Sequence, residues 1–161
     1  MNKDTMMYFS ARYSALIDDK GRVVLPAPFK RTMGELAEEP LVIEKDIYKS
    51  CLNIYPERTY HERLANIQKN LNEHNEFDRD LMAQLNENFV TITMALNGRI
   101  NIPSEFMKHA EIDEEVREVI FIGNGPFITL WKEKVYEEVR QKRKPLREMY
   151  SERLGNVRLG F

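Results

Sequence analysis

Two glycine–arginine pairs carry the most distinctive chemistry in the sequence. Gly21-Arg22 lies in "IDDKGRVVLP", and Gly98-Arg99 lies in the shorter segment "ALNGRINIP". Arginine has a planar guanidinium that can bind a guanine edge or a phosphate through two parallel hydrogen bonds. Each pair has two interpretations: a hairpin turn whose arginine pairs with a nearby carboxylate, or an exposed loop that presents the arginine to a polyanion.

The residues around the first pair indicate how its loop is organised. Gly21 can adopt a positive φ angle at no steric cost, and Gly98 stands at the same place in the second pair. Asp18 can accept hydrogen bonds from backbone N–H groups of the loop, as in Asx turns. Because phosphates would repel this carboxylate, we expect Asp18 to organise the turn and orient Arg22.

Both motifs belong to an internal repeat that covers most of the chain. Arg99 follows Arg22 by 77 positions, and the same offset aligns Pro26 with Pro103, Phe29 with Phe106 and Arg31 with Lys108. In both copies the motif is followed by an apolar run, a turn, another apolar run and a helical pattern. We infer two copies of one unit, because self-similarity of this kind indicates a duplicated fold.

Local patterns predict the elements that position the two motifs. Short β-rich runs predict strands, with residues 12–17 and 22–25 forming a hairpin-like pair. Apolar periodicity predicts helices after Pro26 and Pro56, a second helical stretch that carries Phe77, Leu81 and Leu85, and a C-terminal helix near residues 132–143. We predict a first unit over residues 7–56, a helical connector over 57–88, a second unit with its C-terminal helix over 89–143, and a tail over 144–161.

The composition is that of an ordinary globular protein. Of the 161 residues, 42% are hydrophobic and 31% are charged, and no apolar run approaches membrane-spanning length. Cys51 is the single cysteine, so no intrachain disulfide can form. The N-terminal segment lacks the apolar core of a signal peptide. We therefore expect a cytoplasmic protein that does not interact with membranes.

Positive charge is concentrated around the first motif, although the net charge is −2. A negative total argues against a nucleic-acid binder, whose usual mark is a basic domain. Residues 11–31, however, hold five basic and two acidic side chains, which predicts a basic face on a mildly acidic body. The later run "RQKRK" has two interpretations, as the solvated face of a helix or as a contact with phosphates.

Catalytic and metal-binding patterns are not found in the sequence. His61-Glu62 begins like a zinc-protease helix, but Ala65 occupies the position of the second histidine. The three histidines have no ligand-like spacing, and "GNGP" is not followed by the rest of a dinucleotide-binding motif. We expect a protein that is not an enzyme and that uses no metal, cofactor or small-molecule substrate.

The segments "YSALIDDKGRVVLPAPFKR" and "ALNGRINIPSEF" together resemble the MraZ family of bacterial transcriptional regulators. The mark of that family is Asp-x-x-x-Arg in each half, within a strand–turn–strand that ends in proline. Asp18 and Arg22 match this mark. The second half keeps Arg99 but has Ala95 in place of the acid, so that either Arg99 is less well aimed or Asn97 holds it instead.

This resemblance implies an α+β, β-rich fold of two tandem AbrB-like swapped-hairpin units that form an intrachain pseudo-dimer, with helices following each unit. It implies a ring-shaped homo-oligomer, associated with the nucleoid, that binds double-stranded DNA. The implied target is the promoter repeats of the division and cell-wall gene cluster, usually with repression as the result. The implied DNA-binding residues are Arg22 and Arg99, surrounded by Lys20, Lys30, Arg31 and Lys108.

The sequence is also compatible with two other functions. One is a non-catalytic interaction protein whose basic loops bind acidic protein partners. The other is an AbrB-like antitoxin that binds both DNA and a toxin. Steep loss of binding with salt, and preference for promoter repeats over random DNA, distinguish a DNA-binding regulator from the first alternative.

Overall fold

The repeat in the sequence is also a repeat of secondary structure in the computed structural model, which describes residues 7–113 and 117–160. The first copy contains β1 (Arg12–Leu16), β2 (Arg22–Val24), α1 (Ala27–Met33), β3 (Leu41–Lys45), β4 (Leu52–Pro56), α2 (Glu57–Gln68) and α3 (Glu76–Glu87). The second copy contains, in the same order, β5 (Phe89–Ile92), β6 (Arg99–Asn101), α4 (Ser104–His109), β7 (Glu118–Gly123), β8 (Ile128–Lys132), α5 (Glu133–Lys142) and α6 (Leu146–Leu154).

Helix α6 was not predicted, and it lies within the segment assigned as a tail. It occupies the place in the second copy that α3 occupies in the first. Pro145 separates it from α5 and stands at its N-cap. A proline at the start of a helix costs little, because the N–H groups of the first turn have no intrahelical partner. The duplication therefore includes both helices that follow the strands.

Strands from both copies form one six-stranded antiparallel sheet of order β1-β7-β8-β4-β3-β5, in which the first strand of each copy lies at the edge beside strands of the other copy. β1 pairs with β7 of the second copy, and β5 pairs with β3 of the first. The equivalent strands β4 and β8 lie side by side at the centre, and β2 and β6 form a separate two-stranded ribbon. The copies are therefore interleaved around an approximate twofold axis.

The predicted hairpin between residues 12–17 and 22–25 is wrong. A single turn between the two strands is closed by a hydrogen bond from the Asp18 N–H to the Arg22 carbonyl at 3.0 Å. Beyond this turn the strands do not pair, because β1 belongs to the six-stranded sheet and β2 to the ribbon. Val23 lies opposite Ile100 in the ribbon, and both side chains are buried. The apolar face of β2 is thus completed by a strand from the other copy, which local patterns could not indicate.

The main core lies between one face of the six-stranded sheet and the inner face of the ribbon with α1 and α4. The ribbon and the helices contribute Val23, Leu25, Phe29, Ile100, Ile102 and Phe106, and the sheet contributes Leu41, Ile43, Leu52, Ile54, Val119, Phe121, Ile128 and Leu130. Burial of each such side chain contributes about 1.5–3 kcal/mol. This packing holds the ribbon against the sheet and leaves its outer face in solvent.

The other face of the sheet is covered by two equivalent helices, α2 over β3 and β4 and α5 over β7 and β8. Tyr60 of α2 packs against Tyr55, and Tyr136 of α5 packs against Trp131, with ring centroids 5.0 and 5.5 Å apart. Helices α3 and α6 contain no buried residue. The α+β, β-rich class is confirmed, whereas the swapped-hairpin type of each unit stays a prediction. No helix in the described part of the chain is long and apolar enough to cross a membrane.

Candidate nucleic-acid interface

The two motif arginines lie on the same face of the β2–β6 ribbon. In its antiparallel register, Arg22 is opposite Asn101 and Val24 is opposite Arg99. Opposed residues of an antiparallel pair point to the same side, and side chains alternate along each strand. All four side chains are exposed, and the Cα atoms of the two arginines are in a diagonal relation at about 7–8 Å.

The backbone fixes this orientation at both ends of the ribbon. The Leu25 N–H donates to the Gly98 carbonyl at 2.9 Å, and the Ile102 N–H donates to the Gly21 carbonyl at 2.7 Å. The inward side chains of both strands belong to the main core. A slip of one residue in the pairing would turn these apolar side chains into solvent and the arginines into the core, so the register is strongly specified.

The first loop is organised by the Asp18 carboxylate. Its Oδ1 atom accepts the backbone N–H groups of Lys20 at 2.9 Å and Arg22 at 2.8 Å, and its Oδ2 atom accepts the Arg22 Nε–H at 2.6 Å. The pKa of Asp18 is lowered, mainly by the backbone hydrogen bond from Arg22, although partial desolvation opposes this effect. The carboxylate therefore holds both the turn and the guanidinium of Arg22.

The second loop has the same backbone without that carboxylate. The Ala95 N–H donates to the Arg99 carbonyl at 2.9 Å, and the Gly98 N–H donates to the Ala95 carbonyl at 2.8 Å, as in the first loop. The Asn97 Oδ1 atom accepts the Arg99 backbone N–H at 3.0 Å. The Asn97 Oδ1 atom thus accepts the arginine backbone N–H that the Asp18 Oδ1 atom accepts in the first loop. No described residue bonds to the Arg99 guanidinium.

The two loop glycines have different surroundings, although both have positive φ angles of 84° and 88°. A Cβ atom at Gly21 would lie 2.2 Å from the carbonyl oxygen of Ile102, whereas one at Gly98 would lie 3.5 Å from the nearest carbonyl oxygen. The sulfur of Met107 is also close to the Gly21 position, at 3.1 Å from such a Cβ atom. The first loop is therefore packed more tightly than the second.

The other basic residues predicted for the site occupy different positions. Lys20 is exposed in the first loop, and Lys30 is half-buried and donates a hydrogen bond from Nζ to the carbonyl of Leu96 in the second loop. Arg31 lines a groove of about 790 Å³ between α1 and the second loop, together with Lys30. Its counterpart Lys108 is exposed on α4. The structure thus brings Lys30 and Arg31 to the second loop, and Lys30 supports that loop directly.

Three exposed residues of this surface were missed by sequence reasoning. Val24 and Asn101 share the outward face with the arginines, and Leu96 is 94% exposed at the second loop. The strict alternation of exposed and buried positions in "RVV" and "RIN" could have identified the first two. The exposure of Leu96 carries no comparable sequence signal.

Fold and surface together define a duplicated α+β protein that displays two arginine loops on one exposed β ribbon. A family profile described as "MraZ protein, putative antitoxin-like" matches residues 8–83 and 85–157, one match for each copy of the repeat. The chain belongs to the MraZ family, as its resemblance to that family predicted.

Individual relatives agree with this family assignment. The chain is 34% identical over 134 residues to the transcriptional regulator MraZ of Bacteroides fragilis, covering 83% of each chain. It is 33% identical over 132 residues to that of Phocaeicola vulgatus, covering 82% of this chain and 84% of the relative. It is 30% identical over 151 residues to that of Caldanaerobacter subterraneus subsp. tengcongensis, covering 92% and 97%.

Proposed function

We propose that this protein is a sequence-specific DNA-binding transcriptional regulator that represses the division and cell-wall gene cluster by binding direct repeats in its promoter. It acts in the cytoplasm at the nucleoid and performs no catalysis. The observation that carries the proposal is the placement of Arg22 and Arg99 on one outward face of a two-stranded ribbon. The names of its relatives, which are transcriptional regulators, support the same conclusion.

The shape of the ribbon suits the major groove of DNA. That groove admits a two-stranded β-ribbon, and arginine is the side chain that most often reads guanine there, through a bidentate contact. Arg22 is already oriented by Asp18 through the bond to Nε, which leaves its terminal nitrogens for a base edge. Arg99 lacks such a bond among the described residues, and its flexible guanidinium suits a phosphate. Lys20, Arg31 and Lys108 supply further positive charge for the DNA backbone.

A single ribbon offers few contacts, so we propose that several copies act together. Each chain contributes one swapped-hairpin pseudo-dimer, and the chains assemble into a closed ring. Binding of one DNA repeat then raises the effective concentration of the next ribbon at the next repeat, which increases affinity without any new type of contact. A ring also removes the objection from the net charge of −2, because only one rim has to be basic.

The family description favours a second candidate function. It contains the words "antitoxin-like", which support an AbrB-like antitoxin that binds a protein partner as well as DNA. Under that function, the ribbon still binds DNA, and another surface binds the partner. A more general interaction protein would show no preference for promoter repeats over random DNA.

Substitution of the arginines tests the proposal. Arg22→Ala should abolish the preference for the promoter repeats in a gel-shift assay, because each bidentate contact contributes about 1–3 kcal/mol of discrimination. Arg99→Ala should weaken binding to promoter and random DNA alike and reduce its salt dependence, as expected for a phosphate contact. Both proteins should remain folded and assembled.

Arg12→Ala is the matched control. Arg12 is an exposed arginine of the same basic segment, but it lies on β1 and outside the ribbon. Its removal should leave the promoter preference unchanged. An Arg22→Ala protein with wild-type affinity for the promoter would refute the proposed function.

A further inference from the structure

Two equivalent helices, α3 and α6, leave large apolar side chains in solvent. Phe77 of α3 is 78% exposed, and Leu146 of α6 is 80% exposed. Met149 and Tyr150 of α6 are each 48% exposed, and neither helix has a buried residue. Removal of such side chains from water is favourable, so each helix offers an apolar surface on which a partner from outside the chain can pack.

The surroundings of the two helices have opposite charge. Residues 70–88, which include α3, contain five acidic and one basic side chain. Residues 140–160, which include α6, contain seven basic and two acidic side chains. We refer to these two regions as the acidic helix surface and the basic helix surface. The two helices occupy equivalent places in the two copies of the repeat, but the charges around them are complementary.

On α3, negative charge lies beside the apolar stripe. Phe77 and Leu81 are four residues apart and lie on one face of the helix. Asp80 and Glu87 lie along one edge of this face at 100° per residue. Asp78 is used inside the chain, where it accepts the backbone N–H of Asn72 at 2.8 Å. Asp80 and Glu87 are both exposed, although Asp80 also accepts a hydrogen bond from the Gln84 Nε2 atom at 3.0 Å within the helix. They are the acidic groups that a partner docked on this edge would meet.

On α6, positive charge lies on the apolar side and negative charge on the other. Leu146, Tyr150 and Leu154 follow one another at intervals of four and lie on one face, and Arg153 projects beside Leu146 on that face. Glu152 lies on the opposite side, where it accepts a hydrogen bond from the Lys144 Nζ at 3.2 Å. The face of α6 that is free to dock is thus both apolar and basic.

We infer that α6 of one chain packs against α3 of the next chain, with apolar side chains in contact and the basic residues against the acidic ones. This inference rests on the proposed ring and names the surfaces that form it. The two surfaces are unlike, so the contact is heterologous and repeats from head to tail until it closes.

Charge reversal in the full-length chain tests this contact. We expect light scattering to give wild-type protein a mass that is a multiple of the 19.1 kDa chain. Asp80→Lys with Glu87→Lys should lower the mass at least twofold, toward that of one chain. Arg147 is exposed on α6 at the Leu154 edge of the same face, and Arg147→Glu with Arg153→Glu should lower the mass in the same way. Combining all four substitutions should restore assembly, because the charges are then exchanged between the two surfaces.

Glu62→Lys with Glu138→Lys is the matched control, since both residues are exposed and lie on α2 and α5. This variant should keep the wild-type mass, and circular dichroism should show wild-type helix content in all variants.

An unchanged mass in both charge-reversal pairs, or a variant with all four substitutions that stays dissociated, would overturn the α3–α6 contact. So would loss of DNA affinity without loss of mass in the α6 pair, which would assign α6 to DNA. A monomeric wild type would overturn the proposed ring as well, whereas loss of promoter preference in Arg22→Ala tests the DNA-binding function independently.

Discussion

The two motif arginines differ in how far their side chains are ordered before any ligand binds. The Arg22 Nε–H is held by Asp18 at 2.6 Å, whereas the equivalent position in the second loop is Ala95. A side chain that is already oriented loses less conformational entropy on binding. Under the proposed function, Arg22 is therefore better suited to read a base, and Arg99 to adapt to the position of a phosphate.

Acid should release the Arg22 side chain from its loop. The pKa of Asp18 lies below its usual 3.8, because the Arg22 backbone N–H and then its side chain stabilise the carboxylate. The bonds are therefore fully present above pH 3.8 and are lost as the pH falls through the lower value of the folded protein. We expect the NMR signal of the Arg22 Nε–H to shift in a transition centred below pH 3.8.

Asp18→Asn is the control for this titration, because the amide keeps an acceptor oxygen but does not ionise in this range. Its Arg22 signal should show no transition near the one seen in the wild type. A wild-type transition centred at or above pH 3.8 would contradict the role of Asp18 as a stabilised carboxylate.

The ribbon depends on its two turns unequally, which predicts different effects of equivalent substitutions. Gly98→Ala should lower the free energy of unfolding by about 1–2 kcal/mol, the cost of a left-handed conformation for an L-residue. Gly21→Ala should cost clearly more, because its Cβ would also lie 2.2 Å from the Ile102 carbonyl oxygen. Urea unfolding of the two variants measures the difference. Equal losses of stability would mean that the first loop is not as tightly packed as described.

The sequence predicted individual elements better than their partners. The predicted helix after Pro26 is present as α1 and a short 3₁₀ turn that bury Phe29, Met33 and Leu36, because its apolar spacing is a local signal. The strands that pair with β1 and β2 belong to the other copy. Local patterns do not indicate pairing between strands so far apart in the sequence. The weakly amphipathic α6 was missed because Arg153 interrupts its apolar face.

The candidate site was predictable where it depends on turn chemistry. The oxygen atoms of Asp18 bind the backbone of its loop as an Asx turn requires, and the sequence places Gly21 and Gly98 correctly at positions of positive φ. The support of the second loop by Lys30 depends on contact between α1 and a loop 66 residues away, which only the folded chain reveals.

Interleaving of the two copies should make the complete chain unfold as one unit. Ile43 lies in β3 of the first copy and is fully buried, so Ile43→Ala should cost about 2–5 kcal/mol. Trp131, the single tryptophan, lies in β8 of the second copy. We expect the substitution to shift the urea transition of Trp131 fluorescence by the same amount as that of circular dichroism, at one protein concentration. Two separate transitions would indicate that the copies are stable independently.

The first loop has Asp18 where the second loop has Ala95, so the two ends of the ribbon differ. A ribbon with two identical ends would fit its site equally well in either direction and would favour a palindrome. Here Asp18 bonds to the Arg22 guanidinium at one end, and no described residue bonds to the Arg99 guanidinium at the other. Under the proposed function, the two directions along the DNA duplex are therefore not equivalent. Identical subunits arranged head to tail would then require DNA half-sites that all have the same orientation. Inverting one half-site would weaken its fit to the ribbon.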